Sequence, residues 1–158
     1  MSARLVEIEN VYRSRYRSFL RVARAIVGDD DLARDAVHDG FVRVVVHRQR
    51  WRGDAPLEVW IWGIVVNEAR RRGRRHDPRP ISDTSSDDAS SENGLGDPIR
   101  SLVAALPERQ RLILFLRYYA DLDYHSIADA LGVSIGTVGA TLNAAHSTLR
   151  KHLQEAQT

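Results

Sequence analysis

Three tryptophans stand among arginines in the first half of the chain. Arg48, Arg50 and Arg52 surround Trp51; Trp60 and Trp62 follow; Arg70, Arg71, Arg72, Arg74 and Arg75 crowd the stretch after Asn67. Flat aromatic rings and guanidinium groups together suit melted nucleic acid, because bases stack on rings while arginine neutralises phosphate. A base drawn out of its stack needs such a pocket. The plainer alternative is a core tryptophan and a solvated helix end, where cations are favoured anyway. Asp35, His38, Asp39, Val42 and Arg43 form a second group, on one side of a helix by their spacing. Spacing alone does not separate that stripe from an ordinary solvated face.

The third group is the run Tyr124 to Val138, with Asp123 just before it. Ile127 and Leu131 give a short helix an apolar side, Ala128 allows close crossing, and Gly132 supplies the positive φ that a tight turn needs. After the cap residue Ser134, the residues Val138, Leu142, Ala145 and Leu149 give the next helix a core face. The pattern predicts a helix-turn-helix, whose second helix normally enters the major groove. The exposed side of that second helix offers Gly139, Asn143, His146 and Ser147.

These groups need helices to place them. Leu5, Ile8, Tyr12, Tyr16, Phe19, Ala23 and Ile26 recur every three or four residues and predict a helix that Gly28 stops. Asp29, Asp30 and Asp31 suit the start of a second helix that runs to about His47 and buries Leu32, Ala36, Phe41, Val44 and Val45. The Val-rich stretch from Val42 to Val46 permits a strand, but the helical period continues through it. Asp54 as cap and Pro56 in the first turn predict a third helix to about Arg74, with Leu57, Ile61, Ile64 and Val65 on its apolar side. Prolines, glycines and a Ser/Asp stretch from Asp77 to Asp97, with no Arg or Lys after Ile81, read as an acidic linker. A linker of that length argues for two domains, 1–76 and 98–158, in an all-α chain. The second domain opens with short helices from about Pro98 to Ala105 and from Pro107 to about Tyr119.

Composition narrows the classes. With no Cys, disulfides and thiolate metal sites are excluded. The apolar runs Val59 to Val66 and Leu112 to Leu116 are far short of the roughly 20 residues that span a bilayer, and a cytoplasmic protein is expected. The six histidines are scattered, with His38-Asp39 the nearest approach to an acid–base pair. No nucleophile, zinc or phosphate-loop spacing accompanies them. Neither an enzyme nor a bound cofactor or metal is expected. Net charge is only +2 and Lys151 is the sole Lys; arginine suits bidentate contacts to phosphate and guanine.

The order of these parts resembles the extracytoplasmic-function sigma factors of bacterial RNA polymerase. Gly28-Asp29 through Asp35, Val37, Asp39, Phe41 and Arg43 is similar to the family's polymerase-binding helix. Trp51-Arg52-Gly53-Asp54-Ala55-Pro56, Trp60-Ile61, Ile64 and Asn67 follow in family order. Leu106 to Arg111, Leu116-Arg117-Tyr118, Ile127-Ala128, Leu131-Gly132-Val133 and Gly136-Thr137-Val138 are similar to its fourth region. The resemblance implies that Asp35, His38, Asp39 and Arg43 dock on the clamp helices of the polymerase's largest subunit. It implies −10 reading and melting by Arg50, Trp51, Arg52, Asp54, Trp60, Asn67, Arg70, Arg71 and Arg74. The second domain would hold the flap of the second-largest subunit and read the −35 element through Ser134, Gly136, Thr137, Gly139, Ala140, Asn143, His146, Ser147 and Arg150. Many relatives have an anti-sigma partner, which makes such a protein a further candidate partner.

Two departures stand out. The recognition helix has no Arg or Lys from Val138 through Leu149, and Gly63 and Val66 occupy positions where many relatives have Arg. A helix-turn-helix regulator that does not bind core polymerase explains the second domain but not the Trp/Arg helix or the acidic linker. A polymerase-binding adaptor without DNA reading is the other alternative.

Overall fold

The computed structural model describes residues 2–75 and 97–156, and everything described is helix, turn or loop. Seven helices occur among the described residues: α1 (Leu5–Val27), α2 (Asp30–Val46), α3 (Leu57–Arg75), α4 (Asp97–Ala104), α5 (Glu108–Tyr118), α6 (Tyr124–Leu131) and α7 (Ile135–Ala156). The chain is therefore all-α, as its periodicity predicts. The acidic stretch expected as a linker lies outside the described residues except for Asp97.

Local chemistry places the boundaries. Gly28 ends α1 at φ 78, its N–H donating to the Arg24 carbonyl. The Asp29 carboxylate accepts from the Leu32 N–H at 2.9 Å and opens α2, satisfying a helix-start donor that would otherwise lack a partner. Val42 to Val46 are helical, so the period outweighs the β propensity of valine. At α3 the Pro56 carbonyl accepts from the Trp60 N–H. Proline thus stands at the cap itself, and Asp54, expected there, lies in the preceding loop.

Helices α1, α2 and α3 bury Phe19, Val22, Val37, Val44, Ile61, Trp62 and Val65 against one another. Phe19 and Trp62 stack with ring centroids 3.9 Å apart, and Phe41 meets Phe19 edge-on at 5.2 Å. Two expectations are corrected. Leu5, placed on the apolar side of α1, is 54% exposed, because it sits at the helix start, before the neighbouring helices cover the stripe. Trp62, grouped with the cation-flanked aromatics, is fully buried core.

The second unit, α4 to α7, packs around Ile113, Leu116, Ile127, Val138, Leu142 and Ala145. The two units form a single continuous core, with α6 against α3 and α1 against α5. At the α3–α6 crossing, a Cβ on Gly63 would stand 3.1 Å from the Ala130 carbonyl oxygen. Glycine is what permits so close an approach.

Candidate nucleic-acid interface

Four arginine or histidine side chains and one carboxylate surround the ring of Trp60. The Trp60 ring, Ile64, Asn67, Glu68 and Arg71 come from α3; Arg43 and His47 come from the end of α2; Arg50 belongs to the short 3-10 turn Arg48–Arg50. Together they line an open cleft of about 280 Å³. Its size is at the lower edge of small-ligand sites, which run from roughly 300 Å³ upward. A half-buried ring inside a cationic rim combines a stacking surface with phosphate-neutralising charge.

The helical repeat brings the α3 residues to one side. Trp60, Ile64, Asn67 and Arg71 are spaced by four, three and four, which stacks them along one face of a helix. Of the expected −10 set, the fold therefore gathers Arg50, Trp60, Asn67 and Arg71. It does not gather the others there. The indole N–H of Trp51 donates to the Ala55 carbonyl at 2.9 Å and ties the loop to itself. Arg52 and Asp54 are exposed in that loop. Arg70 points toward the other unit and donates to Glu108 at 3.1 Å. Arg74 lies on the last turn of α3, with its side chain outside the described residues. Arg43, expected on the polymerase-binding face, also lines the cleft, its Nε 2.9 Å from the Glu68 carboxylate.

Sequence reasoning missed His47, Ile64 and above all Glu68. Glu68 is 7% exposed and is the one buried polar or charged residue among those described. Arg43 Nε lies 2.9 Å from its Oε2, Arg71 Nη1 3.6 Å from the same oxygen, and Arg72 Nε 3.7 Å from Oε1. The signal available was its i, i+3 and i, i+4 spacing to Arg71 and Arg72, the separations at which helical side chains meet.

Asp35, His38, Asp39 and Arg43 share the outer side of α2, where Val42 and Val46 are also exposed. Spacing does not reveal that Arg72 reaches across from α3, pairing with Asp39 and approaching Asp35 at 4.0 Å. That stripe is thus joined to α3 and is not simply solvated.

In the second unit α6 and α7 meet at a bend of 107°, within the range of about 90–120° for helix-turn-helix pairs. Gly132 takes φ 67 and its N–H donates to Ala128; Val133 N–H donates to the same carbonyl at 3.1 Å. Asp123 caps α6 by accepting from the Ser126 N–H at 2.8 Å. That bond, more than any other influence, holds the Asp123 carboxyl below its ordinary range. Ser134 Oγ accepts from the Thr137 N–H at 3.1 Å at the start of α7. Gly136, Ala140, Asn143, Ser147 and Arg150 are exposed along that helix, Thr137 is half-buried, and Gly139 lies under the Tyr124 ring. His146 is held from the side by the Tyr118 hydroxyl at 2.9 Å. The remaining described histidines of this unit also have local roles, His125 beside Asp129 and His152 beside Glu155.

Comparison with known proteins agrees with this division. Residues 11–79 match the family profile of sigma-70 region 2, and residues 97–155 match that of sigma-70 region 4. The chain is 28% identical over 158 residues to an RNA polymerase sigma-E factor of Streptomyces avermitilis, covering 95% of this chain and 87% of that protein. It is 20% identical over 168 residues to the ECF RNA polymerase sigma factor SigW of Bacillus subtilis, covering 94% and 88%. Its fold is similar to the sigma factor RpoE of Bartonella quintana, solved with the anti-sigma factor NepR. That likeness has a TM-score of 0.73 at 19% identity and covers 94% of this chain and 97% of RpoE. With both sigma-70 regions matched in order over residues 11–79 and 97–155 and RNA polymerase sigma factors, ECF members among them, as relatives along nearly its whole length, the chain belongs to the extracytoplasmic-function sigma factors of bacterial RNA polymerase.

Proposed function

We propose that this sigma factor binds core RNA polymerase through the outer face of α2 and opens promoters by taking a −10 base into the Trp60 cleft. The observation that carries this reading is the convergence of Trp60, Asn67, Arg50 and Arg71 beside the Asp35–Asp39 stripe. Stacking and phosphate neutralisation would meet there, and Arg72 links the cleft residue Glu68 to Asp35 and Asp39. Arg70 and Arg74 follow on α3 and Trp51, Arg52 and Asp54 stand in the loop before it; in this reading they complete the −10 contacts outside the cleft. Unit 98–158 reads the −35 element through α7 and docks on the flap of the second-largest subunit. The segment 77–97 joins it to unit 1–76. The reading includes an anti-sigma protein as a partner, works in the cytoplasm where core polymerase is, and assigns the chain no catalytic step.

The test is run-off transcription with purified core polymerase on a library randomised at both elements. Specific start sites that depend on this chain support the reading. Charge reversal of Asp35 and Asp39 should weaken co-purification with core enzyme by at least tenfold, a change worth about 1.4 kcal/mol. A chain that binds promoter DNA but never core polymerase is a helix-turn-helix regulator instead.

A further inference from the structure

The cleft's least expected wall is an anion. A carboxylate repels phosphate, so an anion is disfavoured on a surface that binds nucleic acid backbone, yet Glu68 lines the cleft beside Asn67. It is also buried, and burying a charge is costly unless it is paired. Its partners are three arginines. Arg43 comes from α2, Arg71 and Arg72 from α3, and all three have nitrogens within 4 Å of its carboxylate. Oε2 meets no hydrogen-bond geometry among the described residues; the attraction is between charges, and it draws the guanidinium groups inward from two helices.

A buried ion pair is poor evidence of stability, since apolar substitutes often do as well. Its position accounts for it better. Arg43 and Arg71 stand 46% exposed at the cleft rim. Free of Glu68, such long flexible side chains turn outward to phosphate. Held by it, they remain as walls around the Trp60 ring and the cleft keeps room for a base. Arg72, the third guanidinium beside Glu68, also reaches Asp39 and Asp35, so the same carboxylate links the cleft to the docking face.

We propose that Glu68 is the positioning residue of the −10 site: it holds Arg43 and Arg71 aside as walls, so that the cleft discriminates between bases rather than merely collecting phosphate. This rests on the function proposed above. It makes a prediction that a purely structural ion pair does not. Removing the charge lowers base discrimination while raising affinity for any DNA.

The test uses holoenzymes assembled with core polymerase and normalised to assembled complex. The probes are fork-junction DNAs carrying either the −10 sequence selected by the wild-type holoenzyme or a scrambled one. For Glu68→Gln, the selected-to-scrambled affinity ratio should fall about tenfold, the scale of one good base contact. Binding to scrambled DNA should tighten, and the salt slope should steepen by about one ion. Glu68→Asp keeps the charge but shortens the reach, so the ratio should fall with the wild-type salt slope retained. A Gln variant with a native circular dichroism spectrum and the wild-type ratio overturns the proposal. So does a parallel loss on both DNAs, the mark of a structural role. Should the Gln variant not fold, an Asp variant with the wild-type ratio overturns it equally. A wild-type holoenzyme with no −10 preference at all defeats the reading of the cleft itself, and this inference with it.

Discussion

Arg70 of α3 and Glu108 of α5 are bonded across the two units at 3.1 Å. One is expected to touch promoter backbone, the other opens α5 of the second unit, and they stand 38 positions apart in sequence. In the arrangement seen here the carboxylate of one unit neutralises a cation that the other would present to DNA.

Both partners are partly exposed, so the pair itself contributes at most about 1 kcal/mol to folding. Its effect belongs to binding. Glu108→Gln should leave the melting temperature nearly unchanged and tighten DNA binding across sequences. Arg70→Ala should weaken binding across sequences and reduce the salt slope by about one. Salt titrations of the two variants on one duplex check both signs.

Gly63 sets the spacing between α3 and α6. Gly63→Arg would add a cation to α3, but its Cβ meets the Ala130 carbonyl at 3.1 Å. The two helices must separate, or the chain must carry overpacking strain of about 1–3 kcal/mol. Small-angle scattering and urea denaturation should show either an expanded chain or a lower midpoint. Neither change would mean the crossing is looser than it looks.

Trp60 and Trp62 are two residues apart and should behave oppositely. Trp62→Ala removes a fully buried ring stacked on Phe19 and should cost about 3–5 kcal/mol. Trp60→Ala empties one side of an open cleft. It should retain native helicity and lose promoter opening. Circular dichroism alongside run-off transcription distinguishes the two, and a folded Trp60→Ala variant with normal opening would remove the ring from the mechanism.

Asp123 makes the helix-turn-helix acid-sensitive. Its carboxyl lies below the reference value of 3.8, chiefly because the Ser126 N–H bonds the ionised form. The cap therefore contributes fully above that reference value and is lost as pH falls through the lowered one. Asp123→Asn retains an acceptor without titrating. Its stability relative to wild type should rise on acidification below about pH 4 and stay level between pH 5 and 7, read from thermal melts at each pH.

Helix α7 presents no Arg or Lys between Val138 and Leu149, so its own contribution to phosphate binding should be small. Asn143→Ala should reduce the preference for the −35 sequence by about tenfold, one base contact's worth. The salt slope should remain as it was, because no cation is removed. An unchanged −35 preference in the holoenzyme would exclude Asn143 from base reading. Arg109, Arg111 and Arg117 on α5 are cations of the same unit, and phosphate contact would fall to them.

Local chemistry alone determined much of this protein. Gly28, Asp29, Asp123 and Gly132 mark helix ends because a cap or a positive φ depends on a few adjacent residues. The core faces of α6 and α7 follow from the helical period in the same way, and so does the alignment of Trp60 with Asn67, whereas the choice of Arg71 over Arg70 and Arg74 as their neighbour came from the fold. Other facts needed three dimensions. Trp60 and Trp62 are one residue type in one helix, and only the placement of Phe19 decides which ring is core. Asp54 looks like a cap until the loop's path puts Pro56 there. The Glu68 cluster joins residues from α2 and α3, and Arg70–Glu108 joins two units. Their partners are set by how helices cross, and a sequence read along one helix at a time carries no information about that crossing.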